Sequence, residues 1–305
     1  MTDVTEYSKL DSSAQVQLSF REDVNEVDRQ NAERSVAALV ARSAAAVAQS
    51  RAAETEIAEL TGALNKPLEK LIEGERDAAH ALEALRTRQL VQPDALDALD
   101  ESPPEEFSAR TVGFVPPYDF SWAWHDANGH APFSTRLIRS SGRVGVDARS
   151  GQVTGGASGF VNAHVGFGVF LRSETTKQVF PHSGIDPGRF SFAARAIGVG
   201  SNAVAEGGFE LTVFEDGQFL TGASRRLWRG RVSGTVFDPD ESASGGDGPK
   251  FFAGPELQFT IRAGHGYTFN AGVWAFSDRS TGAGAAGVQS FIEATIKRMW
   301  VFNLP

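Results

Sequence analysis

The 305-residue chain has no cysteine, only two methionines and three tyrosines, and no uninterrupted apolar run long enough to span a membrane. The missing cysteine excludes a disulfide-stapled scaffold and any thiolate-ligated zinc or iron–sulfur centre, and leaves the redox compartment open. The missing apolar run excludes a transmembrane helix. The opening residues MTDVTEYSKLDSSAQ carry neither a basic start nor an apolar segment, so no secretory signal is expected. The expectation is cytoplasmic residence, or release by a non-Sec route. Against these absences stand 41% hydrophobic content, 32 glycines and 22 phenylalanines. That composition excludes collagen and a wholly disordered chain, and the length suffices for a real core.

The averages hide a division near residue 110. Residues 1–110 hold 2 of the 32 glycines, 2 of the 22 phenylalanines and none of the 5 tryptophans. They carry 12 basic and 22 acidic side chains, a net of −10; residues 111–305 carry 17 and 16, a net of +1. The acidity therefore belongs to the first third. Such a segment repels phosphates, so that part is not expected to bind nucleic acid.

Residues 24–61 are rich in Ala, Glu, Arg, Leu and Val, which suit a long helix. Val36, Val40, Val47 and Ile57 recur near a 3.5-residue period. Gly62 reads as a C-cap and Pro67 as the first turn of a second helix, with Leu64, Leu68, Leu71, Ala78, Leu82 and Leu85 on its seam. Gln92-Pro93 ends it, before an acidic linker at 93–110. The expectation is a helical hairpin or coiled-coil stalk over 24–92 that packs on copies of itself, or else braces the rest of a monomer. Ahead of it lies a polar arm, 1–23, in which Val16, Leu18 and Phe20 alternate over 14–20 as a short strand. That strand could pair with the C-terminal sheet or with a neighbour's.

Residues 111–305 read as about ten short strands separated by glycine-rich turns, with no helix between them. The expected fold is segregated α+β: the helical stalk, then an antiparallel β-sandwich head of jelly-roll or Greek-key type. Residues 118–124 place Tyr118, Phe120, Trp122 and Trp124 on one strand face, either as core or as a sugar-stacking platform, with core preferred.

The motifs are few. Residues 282–287, Gly-Ala-Gly-Ala-Ala-Gly, match a dinucleotide fingerprint, but only 18 residues follow, too few for the rest of that unit. Ser158 lacks the nucleophile-elbow spacing. His125, Asp126 and His130 flank a hairpin turn and read as solvated. Asp238, Asp240, Glu241 and Asp247 lie in an acidic glycine-rich loop and are candidate Ca²⁺ ligands, without EF-hand spacing; otherwise no cofactor is expected. Arg225, Arg226, Trp228, Arg229 and Arg231 form the one basic cluster. Strand alternation puts Arg225, Arg229 and Arg231 on one face and Arg226 beside Trp228 on the other. The cluster suits an acidic glycan, another anionic ligand, or a neighbour's acidic stalk.

The segment Pro-Pro-Tyr-Asp-Phe-Ser-Trp-Ala-Trp at 116–124 resembles one in uncharacterised bacterial and fungal β-sandwich proteins, over the C-terminal two thirds. The resemblance implies a sandwich and no activity. The stalk-plus-jelly-roll plan is similar in architecture to tumour-necrosis-factor-like proteins, with no motif of that class present. The expected function is a non-enzymatic, homo-oligomeric binding or structural protein, with the stalk driving self-assembly. The alternatives are a toxin-like protein acting on membranes through its helices and a carbohydrate-binding or carbohydrate-active protein. The acidic helices with their thin apolar stripe argue against a membrane partner.

Overall fold

The computed structural model describes residues 5–7, 15–72, 111–128, 133–150, 158–186, 188–198, 200–234, 242–245, 257–280 and 285–303. In chain order these form β1 (Thr5–Tyr7), β2 (Gln15–Phe20), α1 (Glu26–Ile72), β3 (Thr111–Phe114), β4 (Phe120–Asn128), β5 (Phe133–Ile138), β6 (Arg143–Ser150) and β7 (Ser158–Arg172). There follow β8 (Lys177–Asp186), β9 (Phe190–Ile197), β10 (Asn202–Glu215), β11 (Gln218–Ser233), β12 (Ser242–Gly245), β13 (Phe259–Ile261), β14 (Gly266–Ser280) and β15 (Ala285–Asn303). The described residues are β-rich α+β, with the helix α1 ahead of most of the strands.

The strands form two antiparallel sheets. The first runs β1-β2-β4-β7-β14-β10-β11 and the second β12-β9-β15-β6-β5. The 19-residue β15 organises the second sheet. Its first half lies between β9 and β6, and its second half pairs with β8 and β3. The 14–20 strand is β2, paired with β4 of the first sheet. In β8, Pro181, which lacks an N–H and breaks the usual strand signal, sits mid-strand opposite Val301.

Strand alternation divides the first sheet between two cores. In β7, Val161, Ala163, Val165, Phe167 and Val169 face a core shared with second-sheet residues such as Val144, Val146, Ile292 and Ile296. The intervening residues face the other way, toward α1. There Ala32, Val36, Leu39 and Val40, one helical stripe, are buried against Val16, Leu18, Phe120, Trp122, Trp124 and Phe214. The stripe expected to pair helix with helix is covered here by a sheet. Asn25 caps the helix: its Oδ1 accepts from the Asp28 amide at 3.0 Å and its Nδ2 donates to the Asp28 carboxylate at 2.7 Å. Arg172 of β7 donates to the same carboxylate at 3.0 Å and pins the helix start to the sheet.

Two expectations are corrected. The hairpin turn at 62–67 does not form: α1 continues through Gly62 and Pro67 to Ile72. A mid-helix proline costs about 3 kcal/mol and a glycine about 1. A helix already nucleated and anchored over its first half gains one hydrogen bond per added residue, and here it carries across both. Residues 73–110, which include the rest of the expected second helix and the linker, lie outside the described residues. The aromatic row is core, but of two cores. Phe120, Trp122 and Trp124 face the helix, whereas Tyr118 precedes β4 and enters the core between the sheets. Its hydroxyl donates to the Ile296 carbonyl at 2.8 Å and its ring stacks on Phe167. Among the described residues no helix is long and apolar enough to cross a membrane.

Candidate functional site

Beyond the aromatics that α1 covers, the helix and the outer face of β7, β14, β10 and β11 enclose a cleft of about 650 Å³. That lies within the range of small-ligand sites. Leu39, Arg42, Ser43 and Ala46 form the helical wall; Trp274, Phe276 and Val204 form part of the sheet wall. Register builds the sheet wall in rows. His164, Trp274 and Arg226 lie in one row across the strands, and Asn162, Phe276, Glu206 and Arg229 in the next.

His164 is the most constrained of these groups. Its ring lies 4.1 Å from Trp124, nearly parallel, with Trp274 at 6.3 Å. Its Nδ1 donates to Glu210 Oε1 at 2.7 Å, since a carboxylate accepts, and its Nε2 is 3.1 Å from Asn162 Oδ1. Asn162 Nδ2 donates in turn to Ser43 Oγ on the helix at 2.8 Å. The network ties α1 to the sheet, with Nδ1 engaged by Glu210 and Nε2 set against the Asn162 amide. The imidazole is thereby a fixed wall of the cleft. Ser224 is also engaged, donating to the Phe209 carbonyl at 3.2 Å and accepting from Trp274 Nε1 at 3.0 Å.

The basic cluster sits at the rim, arranged differently from the expectation. The β10–β11 register shifts at Gly207/Gly208, which sets Trp228 opposite Gly207 and Arg226 opposite Gly208 and leaves Leu227 as the extra residue of a bulge. The bulge resets the alternation, so Arg226 and Arg229 fall on one face. Both reach Glu206, at 3.5 Å and 2.9 Å. Arg231 is exposed, opposite Val204, and Arg225 lies opposite Phe209. Trp228 is no surface contact: it is buried between the sheets, stacked on Phe190 and Phe192. The cleft lining holds two carboxylates, Glu206 and Glu210, and two arginines, Arg229 and Arg42, the latter 4.1 Å above the Phe219 ring.

The other sequence candidates do not join this site. Asp238, Asp240, Glu241 and Asp247 lie outside the described residues, as does His130. Among the described residues no group of three or more His, Asp or Glu side chains is placed to hold a metal ion. Burial holds the His125 imidazole below its usual range, with Asp126 opposing. A second polar cluster caps the β10–β11 turn. Arg262 makes a two-pronged pair with Glu215, Tyr267 donates to the same carboxylate, and His265 Nδ1 lies 2.7 Å from Asp216 Oδ2. Arg262 holds the Glu215 carboxyl below its ordinary range, with burial opposing. Asp216 at φ 49° and Gly217 at φ 82° make the tight hairpin turn this cluster braces.

His164, Glu210, Asn162, Thr212 and Trp274 are absent from the sequence candidates. They come from three strands, β7, β10 and β14, far apart in the chain, and only register joins them. The one local signal is β7, where Asn162 and His164 alternate with Val161, Ala163 and Val165. Compared with protein-family models, curated proteins and solved structures, the chain has no match.

Proposed function

We propose that the chain is a non-enzymatic binding protein, with a β-sandwich head of Greek-key or jelly-roll type, that holds a small ligand in the cleft between α1 and the first sheet. The observation that carries this reading is the cleft itself: about 650 Å³, walled by half-buried Trp274 and Phe276, with polar groups converging on it from both helix and sheet. Binding rather than catalysis is supported by the engagement of the reactive groups. His164 Nδ1 is held by Glu210 and Nε2 is covered by Asn162, Glu206 is paired with arginines, and Ser43 and Ser224 are in hydrogen bonds. A catalytic base needs a free nitrogen or oxygen aimed at a substrate proton.

Self-association through the helix is part of the same proposal. Among the described side chains of α1, the buried apolar ones run from Ala32 to Val40, and the helix extends to Ile72. Light scattering on the intact chain tests that part: a mass above the monomer supports it and a monomer removes it. The cleft is tested by ligand-observed NMR with a fragment library, on the full chain and on Ala46→Trp. Ala46 is exposed on the helical wall, so an indole there fills the cleft and leaves the core untouched. Hits that vanish in the variant support the site. Hits that persist, or none at all, overturn it.

A further inference from the structure

The geometry points to an uncharged, polyhydroxylated ligand for this cleft, a neutral saccharide. The inference rests on the binding reading above and adds the ligand's chemical class.

The first observation is charge balance. The lining brings two carboxylates and two arginines, and the carboxylates are already engaged: Glu206 pairs with Arg229, and Glu210 accepts from His164 Nδ1. Arg42 lies over the Phe219 ring. A cationic ligand would have to displace a carboxylate's existing partner, and an anionic one would be set beside both carboxylates of the lining. An uncharged ligand leaves every pair in place and can still share hydrogen bonds with it.

The second observation is independent and lies in the floor. Thr212 lines the cleft, is 7% exposed, and among the described residues its Oγ1 has no hydrogen-bond partner. Buried polar atoms are paired in nearly all native structures, so this orphan in the lining calls for an explanation. A hydroxyl donates and accepts without charge, which is the chemistry that other hydroxyl groups match. A wholly apolar ligand would leave it orphaned.

The third observation is the wall. The Trp274 ring is half-buried against His164, and Phe276 follows two residues later on the same face. A flat apolar wall beside fixed donors and acceptors fits a sugar ring, which has an apolar face and a polar edge.

The test uses the full-length chain, read by intrinsic tryptophan fluorescence and calorimetry. The probes are neutral mono-, di- and oligosaccharides, with matched uronic acids and amino sugars. Comparing short sugars with oligosaccharides distinguishes a free sugar from a chain end. The variants are Thr212→Val, which keeps shape and removes the orphan hydroxyl, and Trp274→Leu. The expected result is binding by neutral sugars, weakened about tenfold in each variant, with the Thr212→Val melting temperature unchanged or raised. That last readout shows that lost affinity is not lost fold. Preference for a charged sugar would overturn the ligand class and leave the binding reading standing. So would failure of every sugar while library fragments still bind in an Ala46-sensitive manner. Failure of sugars and fragments alike overturns both.

Discussion

His164 and Glu210 meet across a strand that separates them. β14 lies between β7 and β10, yet Nδ1 and Oε1 are 2.7 Å apart. The β14 residue beside Glu210 is Gly272, so no side chain stands in the way. A Cβ there would lie 2.5 Å from the Val165 carbonyl oxygen and 2.9 Å from the Trp122 ring. Gly166, its neighbour in β7, is as crowded, with Trp122 at 2.6 Å. Two glycines thus form a trough that seats the Trp122 indole and clears the path between the two polar groups.

Gly272→Ala should therefore destabilise the protein by overpacking. The nearest obstacle is backbone, which cannot swing aside, and such insertions cost about 1–3 kcal/mol. At about 2–4 °C per kcal/mol for a large domain, the melting temperature falls by several degrees. Calorimetry checks this, with the His164 ring signals in NMR reporting the lost pair. An unchanged melting temperature would show that the trough is not close-packed.

Leu39→Ala separates a docked helix from a free stalk. Leu39 is buried in the helix–sheet core, and truncation there costs about 2–5 kcal/mol. Val27, on the same helix but 56% exposed, should change stability by no more than about 0.5 kcal/mol when cut to alanine. Urea melts followed by tryptophan fluorescence read both. A head that melts identically in wild type and Leu39→Ala would show that α1 contributes nothing to it.

That docking marks where the sequence stops being legible. The helix is readable because Ala, Glu, Arg and Leu dominate it, and β7 and β15 because apolar residues alternate along them. What the helix packs on is not readable: Val36 and Val40 serve a helical partner or a sheet equally well. Nor is the face of each arginine, since the bulge at Leu227, opposite Gly207-Gly208, puts residues three apart side by side. Tyr118 shows the same limit: the 116–119 bend ends the alternation that continues from Phe120. The cleft is the least legible part, because the His164–Glu210 contact depends on the register of three strands.

The rim pair is the weaker kind of ion pair. Arg229 and Arg226 are both about half-exposed where they meet Glu206, so solvent screens them. A double-mutant cycle with Glu206→Gln and Arg229→Gln should give a coupling of about 0.2–1 kcal/mol, and the longer Arg226 contact less. Chemical denaturation of the four proteins measures it. A larger coupling for Arg226 would contradict the geometry.

The turn cluster supplies a pH signature. Glu215 has its carboxyl held low first by Arg262, against the opposing cost of burial, and then by the Tyr267 hydroxyl. A carboxyl whose folded value lies below its unfolded one contributes stability that is fully present above the unfolded value. The contribution is lost as pH falls through the folded value. Wild type should thus melt above Glu215→Gln near neutral pH, and the gap should narrow as pH falls below the ordinary glutamate value of about 4.3 and through the lower folded one. The variant shares every other carboxylate, so the difference isolates this one. Melting curves of both proteins across that range decide it. A gap that stays constant with pH would mean that Glu215 acts through shape alone, with the Arg262 pair contributing nothing to the folded state.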